Sequence, residues 1–320
     1  MFVFNMSNGY VVAMVFANFC VMPLIVFERG FILRRLHAHI RRLPTPTYFL
    51  STILIYFVLT GLGFAAAGVL LKGTGQIAVP WKNVLIIPPK TLAYTLILFF
   101  LGISVMRIRQ LLGRDVFLSL LTGRYRRPLQ EDRIFLFIDV VGSTSYAETF
   151  GDLKAQEFIG AIFGGISEPV SRHGGAIDDY VGDAAIITWP LQSSATSGRC
   201  DNAGRSVACV FDILGQFEAD ADRWREEHGL VPQLRAALHG GSVVTAEIGV
   251  DHHKITYFGD VVNTTARLEA LCKSLNRPVL MSSDLFGLTF LPTGIRSEAL
   301  GTYMLKGRDQ PLDVVALEKV

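Results

Sequence analysis

The sequence has little charge. Asp, Glu, Lys and Arg together make up 18% of its 320 residues, and the net charge is only +2. That balance is too small to argue for a nucleic-acid partner. Cysteine is scarce, with Cys20, Cys200, Cys209 and Cys272 alone. These four show no metal-type pairing and no disulfide spacing, which suits a reduced cytosolic setting for the second half of the chain. There is no internal repeat, no low-complexity tract, and no recognisable haem site or light-sensing module. What the chain has in excess is apolar sequence: 50% of residues, with a mean hydropathy of +0.39. The first third carries most of it.

Three apolar runs there are long enough to consider as spans of a bilayer, which needs about 20 residues. They cover about 10–27, 47–71 and 91–106, the last being the shortest. For the first run the competing reading is a cleavable signal peptide. No basic residue precedes it, however, and no small-residue cleavage site follows. Arginine sets the orientation. The loop after the first run holds Arg29, Arg34, Arg35, Arg41 and Arg42, and the segment after the third is again arginine-rich. The loop at 72–90 has lysines and no arginine. Three spans place both arginine-rich segments on one side, expected to be the cytoplasm, with the N-terminus outside. A further span is the alternative.

From Arg133 the texture changes. "RIFLFIDV" reads as a buried strand ending near Asp139. A helical stretch follows, then "AIDDYV" and "AAIITWP" with Gly182-Asp183 between them, a hairpin signal. Beyond lie a long helical stretch ending "DRWREEH", strands "LRAALHG", "SVVTAEIG" and "KITYFG", and a helix from Asp260. The order predicts an α/β sandwich, a sheet with helices on one face. Asp139, at a strand end, and Asp183, at a neighbouring turn, are placed to converge at one edge of the sheet. Two nearby carboxylates repel unless a cation lies between them. Mg²⁺ suits that position, because it takes carboxylates, water and substrate phosphates. Between Asp139 and Thr144, Gly142 permits close backbone approach, and the N–H groups of Ser143 and Thr144 could face phosphate at a helix start. Taken singly, Asp139 reads equally as a cap or turn acid and Asp183 as a hairpin acid.

At "FLFIDVVGST", "YVGDAAIITW" and "FGDVVNTTARLEA" the chain resembles the class III nucleotide cyclases, the adenylate/guanylate cyclase catalytic domain. The resemblance implies an α+β catalytic domain (a ferredoxin-like, palm-type α/β sandwich) behind an α-helical transmembrane domain. The chain then divides into a transmembrane region, 1–106, a basic linker or transmitter helix, 107–132, and a catalytic domain, 133–320. It implies a homodimer with active sites at the interface and two ions, Mg²⁺ or Mn²⁺, per site. Asp139, Asp183 and the carbonyl of Val140 would hold the metal. Asn263 would orient the ribose, Arg267 would stabilise charge on the reacting phosphate, and Lys306 would contact phosphates. Taken alone, Arg267 reads as a surface helix arginine and Lys306 as a solvated loop lysine. The expected activity is conversion of ATP to 3′,5′-cyclic AMP and pyrophosphate by a multi-pass protein of the inner membrane whose catalytic domain is cytoplasmic. The partners are a nucleoside triphosphate, a second copy of the chain and membrane lipid.

The chain departs from the family pattern where the purine is read. The position four before the second metal aspartate, usually Lys in adenylate cyclases and Glu in guanylate cyclases, is Asp179. The position seven before the helix asparagine is Thr256, as in one subgroup of adenylate cyclases. An ionised carboxylate only accepts hydrogen bonds. Guanine offers N1–H and N2–H₂ side by side, whereas adenine offers N6–H₂ next to an N1 acceptor. Guanylate cyclase and a non-catalytic nucleotide-binding membrane sensor are therefore the alternatives, with a solvated hairpin acid as the bland reading of Asp179. A diguanylate cyclase would need a "GGDEF"-type signature, and only "VGDAA" is present.

Overall fold

The computed structural model describes residues 6–28, 31–41, 43–81, 87–112, 122–192, 200–249, 254–308 and 310–320. The chain forms two compact units, Met1–Gly113 and Arg114–Val320. Arg29, Arg42 and residues 113–121 of the expected linker lie outside the described residues.

The first unit is helical: α1 (Met6–Glu28), α2 (Arg34–Arg41), α3 (Thr45–Gly73) and α4 (Pro89–Leu112). The first two apolar runs lie within α1 and α3. Their stretches Gly9–Glu28 and Pro46–Gly73 are long and apolar enough to cross a membrane by length and composition. The third lies in α4, whose apolar stretch Ala93–Ile108 is shorter. Small residues let α1 and α3 approach closely. A Cβ added at Gly63 would clash with the Phe19 carbonyl oxygen. Phe27, Tyr48, Tyr56 and Ile103 are buried together where α1, α3 and α4 meet.

The second unit is built on one eight-stranded sheet. Its elements are β1 (Leu129–Val140), α5 (Ser143–Phe150), α6 (Asp152–Arg172), β2 (Ala176–Val181), β3 (Ala184–Pro190), α7 (Asp201–Ala219), α8 (Ala221–His228), β4 (Leu234–Ile248), β5 (Lys254–Phe258), α9 (Asp260–Leu275), β6 (Val279–Ser282), α10 (Ser283–Gly287), β7 (Ile295–Tyr303) and β8 (Leu312–Lys319). Strand order is β2-β3-β1-β4-β6-β8-β7, with β5 added to the far half of β4. This is the expected α+β sandwich, with one correction: helices cover both faces of the sheet. Ile134, Leu136 and Ile138 of β1 join Phe158, Ile162 and Ile166 of α6 and Val207 and Val210 of α7 in one core. On the other face, Phe135 and Phe137 pack with Val261 of α9, and Ala237 with Leu268 and Cys272. The unbroken apolar run of β1 follows from this, since a strand buried on both faces has no polar side to alternate.

Two other boundaries differ from the sequence reading. "LRAALHG" and "SVVTAEIG" are not two strands but the single strand β4. Its Gly240-Gly241 pair does not turn the chain. It leaves room for neighbours, since a Cβ at Gly241 would lie 2.9 Å from Cγ2 of Val261. The long helical stretch after Cys200 divides at Asp220 into α7 and α8.

Candidate active site

Strand register fixes where the acids fall. Asp139, next to last in β1, stands opposite Ala184 on β3 and Arg235 on β4. Asp183 occupies the β2–β3 turn behind Gly182, which takes a left-handed φ of 64°. The Val140 amide donates to the Asp183 carbonyl at 3.2 Å, which ties the turn to the end of β1. Gly142, also left-handed at φ 76°, then leads the chain into α5. The first residue of that helix, Ser143, donates its hydroxyl to the Asp183 carboxylate. Asp139, Val140, Asp183, Gly142 and Ser143 are thus brought together at one sheet edge, with Thr144 exposed beside them.

The electrostatics there are those of an acid cluster. Burial first, and then the Asp183 carboxylate, push the Asp139 pKa up, against the pull of Arg235 and Lys273. Glu269 on α9 is pushed up to about 7, by burial first and then by Asp139, with Asp183 adding to it. Arg235 answers this charge. Its guanidinium lies 3.2 Å from Asp139 and 3.9 Å from Glu269. Arg235 and Lys273 are set against three carboxylates, so room for further positive charge remains. The donors are hard oxygens, which suits a divalent cation such as Mg²⁺. Two carboxylates do not make a closed cage, and among the described residues no three His, Cys, Asp or Glu side chains group as metal ligands.

Arg235 and Glu269 were not singled out from the sequence. Arg235 becomes visible only through the pairing of β1 with β4. Glu269 lies two residues beyond Arg267, so it points to a different side of α9.

The remaining candidates lie elsewhere on the unit. Asn263 and Arg267 are four apart on α9 and share a face. Asn263 is exposed. Arg267 donates to the carbonyl of Gly307 at 3.4 Å and lies 3.9 Å from Asp260, which also pairs with Arg308 at 3.3 Å. Lys306, exposed in the β7–β8 loop, directly precedes Gly307. Asp179 and Thr256 sit on β2 and β5, and Lys254 of β5 reaches Asp179 at 2.6 Å. Asp178, left to solvent by the sequence reading, accepts instead from the Tyr257 hydroxyl at 3.1 Å. Among the described residues no hydrogen bond or ion pair joins Asp139 or Asp183 to Asn263, Arg267 or Lys306.

Comparison with known proteins gives the class. Residues 129–317 match the family described as "Adenylate and Guanylate cyclase catalytic domain", and the chain belongs to that family of nucleotide cyclases, which generally use divalent metal ions. It is similar to "Adenylate cyclase 2" of Rhizobium meliloti, with 52% identity over 311 residues, which is 97% of this chain and 84% of that one. It spans 37% of the length of the next curated relatives it matches. Its fold is shared with the adenylyl cyclase CyaB of P. aeruginosa (TM-score 0.52, 20% identity, 61% of this chain and 97% of that one). A bacterial light-regulated adenylyl cyclase also shares it (TM-score 0.56, 15% identity, 72% and 66%).

Proposed function

We propose that this protein is a membrane-anchored adenylate cyclase that works as a homodimer, each active site being assembled from two copies of the chain. The meeting of Asp139 and Asp183 at one sheet edge carries this reading. Among the described residues no bond links that pair to Asn263, Arg267 or Lys306, and in this reading each chain holds two half-sites that a symmetric pair of chains completes. The substrate assignment follows the relative's name, since the similarity runs through almost the whole chain.

The reaction joins the ribose 3′-oxygen to the α-phosphorus, breaks the α–β phosphoanhydride bond and releases pyrophosphate together with the proton of the 3′-hydroxyl. Nucleophile and electrophile share one molecule, so the protein's task is positioning and charge stabilisation. Two divalent ions, Mg²⁺ or Mn²⁺, held by Asp139, the Val140 carbonyl and Asp183 would supply an acidified 3′-hydroxyl and neutralised phosphates. Asn263 holds the ribose, and the always-ionised fork of Arg267 meets charge growing on the phosphate. Lys306 and the N–H groups from Gly142 to Thr144 take the remaining phosphate oxygens. Three spans would place this domain in the cytoplasm, with 107–132 transmitting changes from the membrane unit. Deleting everything before Arg124 should then alter activity or dimerisation, and unchanged values would remove that role.

Guanylate cyclase remains the second reading because Asp179 alone suits guanine. Offering ATP and GTP separately to the purified protein with Mg²⁺ or Mn²⁺ decides the matter. Cyclic AMP is the expected product, and cyclic GMP alone would overturn the assignment.

A further inference from the structure

We propose that Lys254 reads N1 of the adenine ring, acting as one recognition unit with Asp179. This assignment rests on the ATP reading above.

The geometry begins with a bulge. On β2, Ile177 pairs with Ile187 and Asp179 with Ile186, so Asp178 is the extra residue. Such bulges re-aim neighbouring side chains. β5 closes onto this point and is held there by buried groups. The Tyr257 ring meets Phe135 edge-on at 5.3 Å and lies 5.0 Å from the Arg133 guanidinium. Arg133 is buried and is itself fixed by Glu131 at 2.8 Å and Thr188 at 2.9 Å. The Tyr257 hydroxyl then reaches Asp178, and the Lys254 ammonium reaches Oδ2 of Asp179. Oδ1 of Asp179 accepts from the Tyr180 amide at 3.0 Å. Lys254 and Thr256, two apart on one strand, share a face.

The pair repairs what Asp179 lacks. A carboxylate accepts from adenine N6–H₂ but repels the N1 lone pair. An ammonium carries three donors, and Asp179 uses one, leaving donors for N1. Acceptor and donor then stand side by side, matching the adenine edge. Guanine would need both carboxylate oxygens at once for N1–H and N2–H₂. With Lys254 on Oδ2, the guanine N1–H would also face a donor, whereas the adenine N1 acceptor faces a partner. The lysine that the family places on the hairpin is thus supplied here from β5, which among the described residues pairs with β4 and not with the hairpin.

The test uses full-length protein and two substrates, ATP and 1-deaza-ATP, in which N1 is a C–H group. Wild type should prefer ATP by about 10- to 100-fold in kcat/KM, the range for a hydrogen bond to a charged group. Lys254→Met should bring that ratio to near one, chiefly by raising KM for ATP, with its melting temperature unchanged. A Lys254→Met variant that keeps the wild-type ratio overturns the proposal, whether or not its overall activity falls. No wild-type preference between the two substrates overturns it as well. Wild-type preference for GTP over ATP would instead overturn the ATP reading itself and the proposal with it.

Discussion

At the scale of single residues, the acids divide by what holds them. Asp183 is placed by a turn and by Ser143, Asp139 by its register opposite Arg235, and Asp178 by Tyr257. Asp139 is the informative one for stability. Its folded pKa is raised, so it favours folding at low pH, where it is protonated, and loses that contribution as pH rises through the folded value. At neutral pH its charge therefore works against the metal-free fold. Asp139→Asn should cut cyclase activity by at least about 100-fold. Its melting temperature without metal, measured at pH 7, should be equal to or above that of wild type. A melting temperature several degrees lower would make Asp139 a structural residue. Asp183→Ala should abolish turnover in the same assay, and unchanged activity there would remove the metal assignment.

At the scale of elements, β4 links the halves of the sheet and carries a buried titratable group. His239 is pushed down to about 4, by burial first and then by the Arg308 charge, and its Nδ1 lies 2.8 Å from Oγ of Ser282 at the start of α10. The unfolded chain takes up a proton near the usual histidine value, whereas the folded chain resists until about pH 4. Stability should therefore fall as pH drops through that window, by up to about 3 kcal/mol from this group. Denaturant titrations between pH 7 and pH 4 should show a shallower fall in His239→Gln than in wild type. Identical slopes would contradict the buried neutral imidazole.

The legibility of the sequence also varies by element. β1, the β2–β3 hairpin and α9 were readable, because an apolar run, a Gly-Asp turn and a helical period are local signals. The length of β4 was not, since Gly240-Gly241 looks like punctuation until α9 is seen to pack on it. Helices on both faces were already implied by the lack of alternation in "RIFLFI", although the sequence reading placed them on one. Arg235, Glu269 and Lys254 were invisible because each matters through a partner far away in the chain. Strand pairing and helix packing bring those partners together.

At the scale of the whole molecule, a helical unit with two apolar helices of spanning length joins a nucleotide cyclase unit. The contact of α1 with α3 depends on Gly63, where no side chain fits against the Phe19 carbonyl. Gly63→Leu should lower the stability of the helical unit by roughly 1–3 kcal/mol or more, read as a lower melting temperature in detergent. Wild-type stability in that variant would contradict the close approach. Asp183→Ala and Arg267→Ala damage different halves of the proposed site and should each be inactive as a homodimer. Co-expressed in equal amounts, they should recover about a quarter of wild-type cyclic AMP formation, because half the dimers are mixed and each mixed dimer keeps one intact site of two. No recovery, with mixed dimers shown to form, would contradict an active site assembled from two chains.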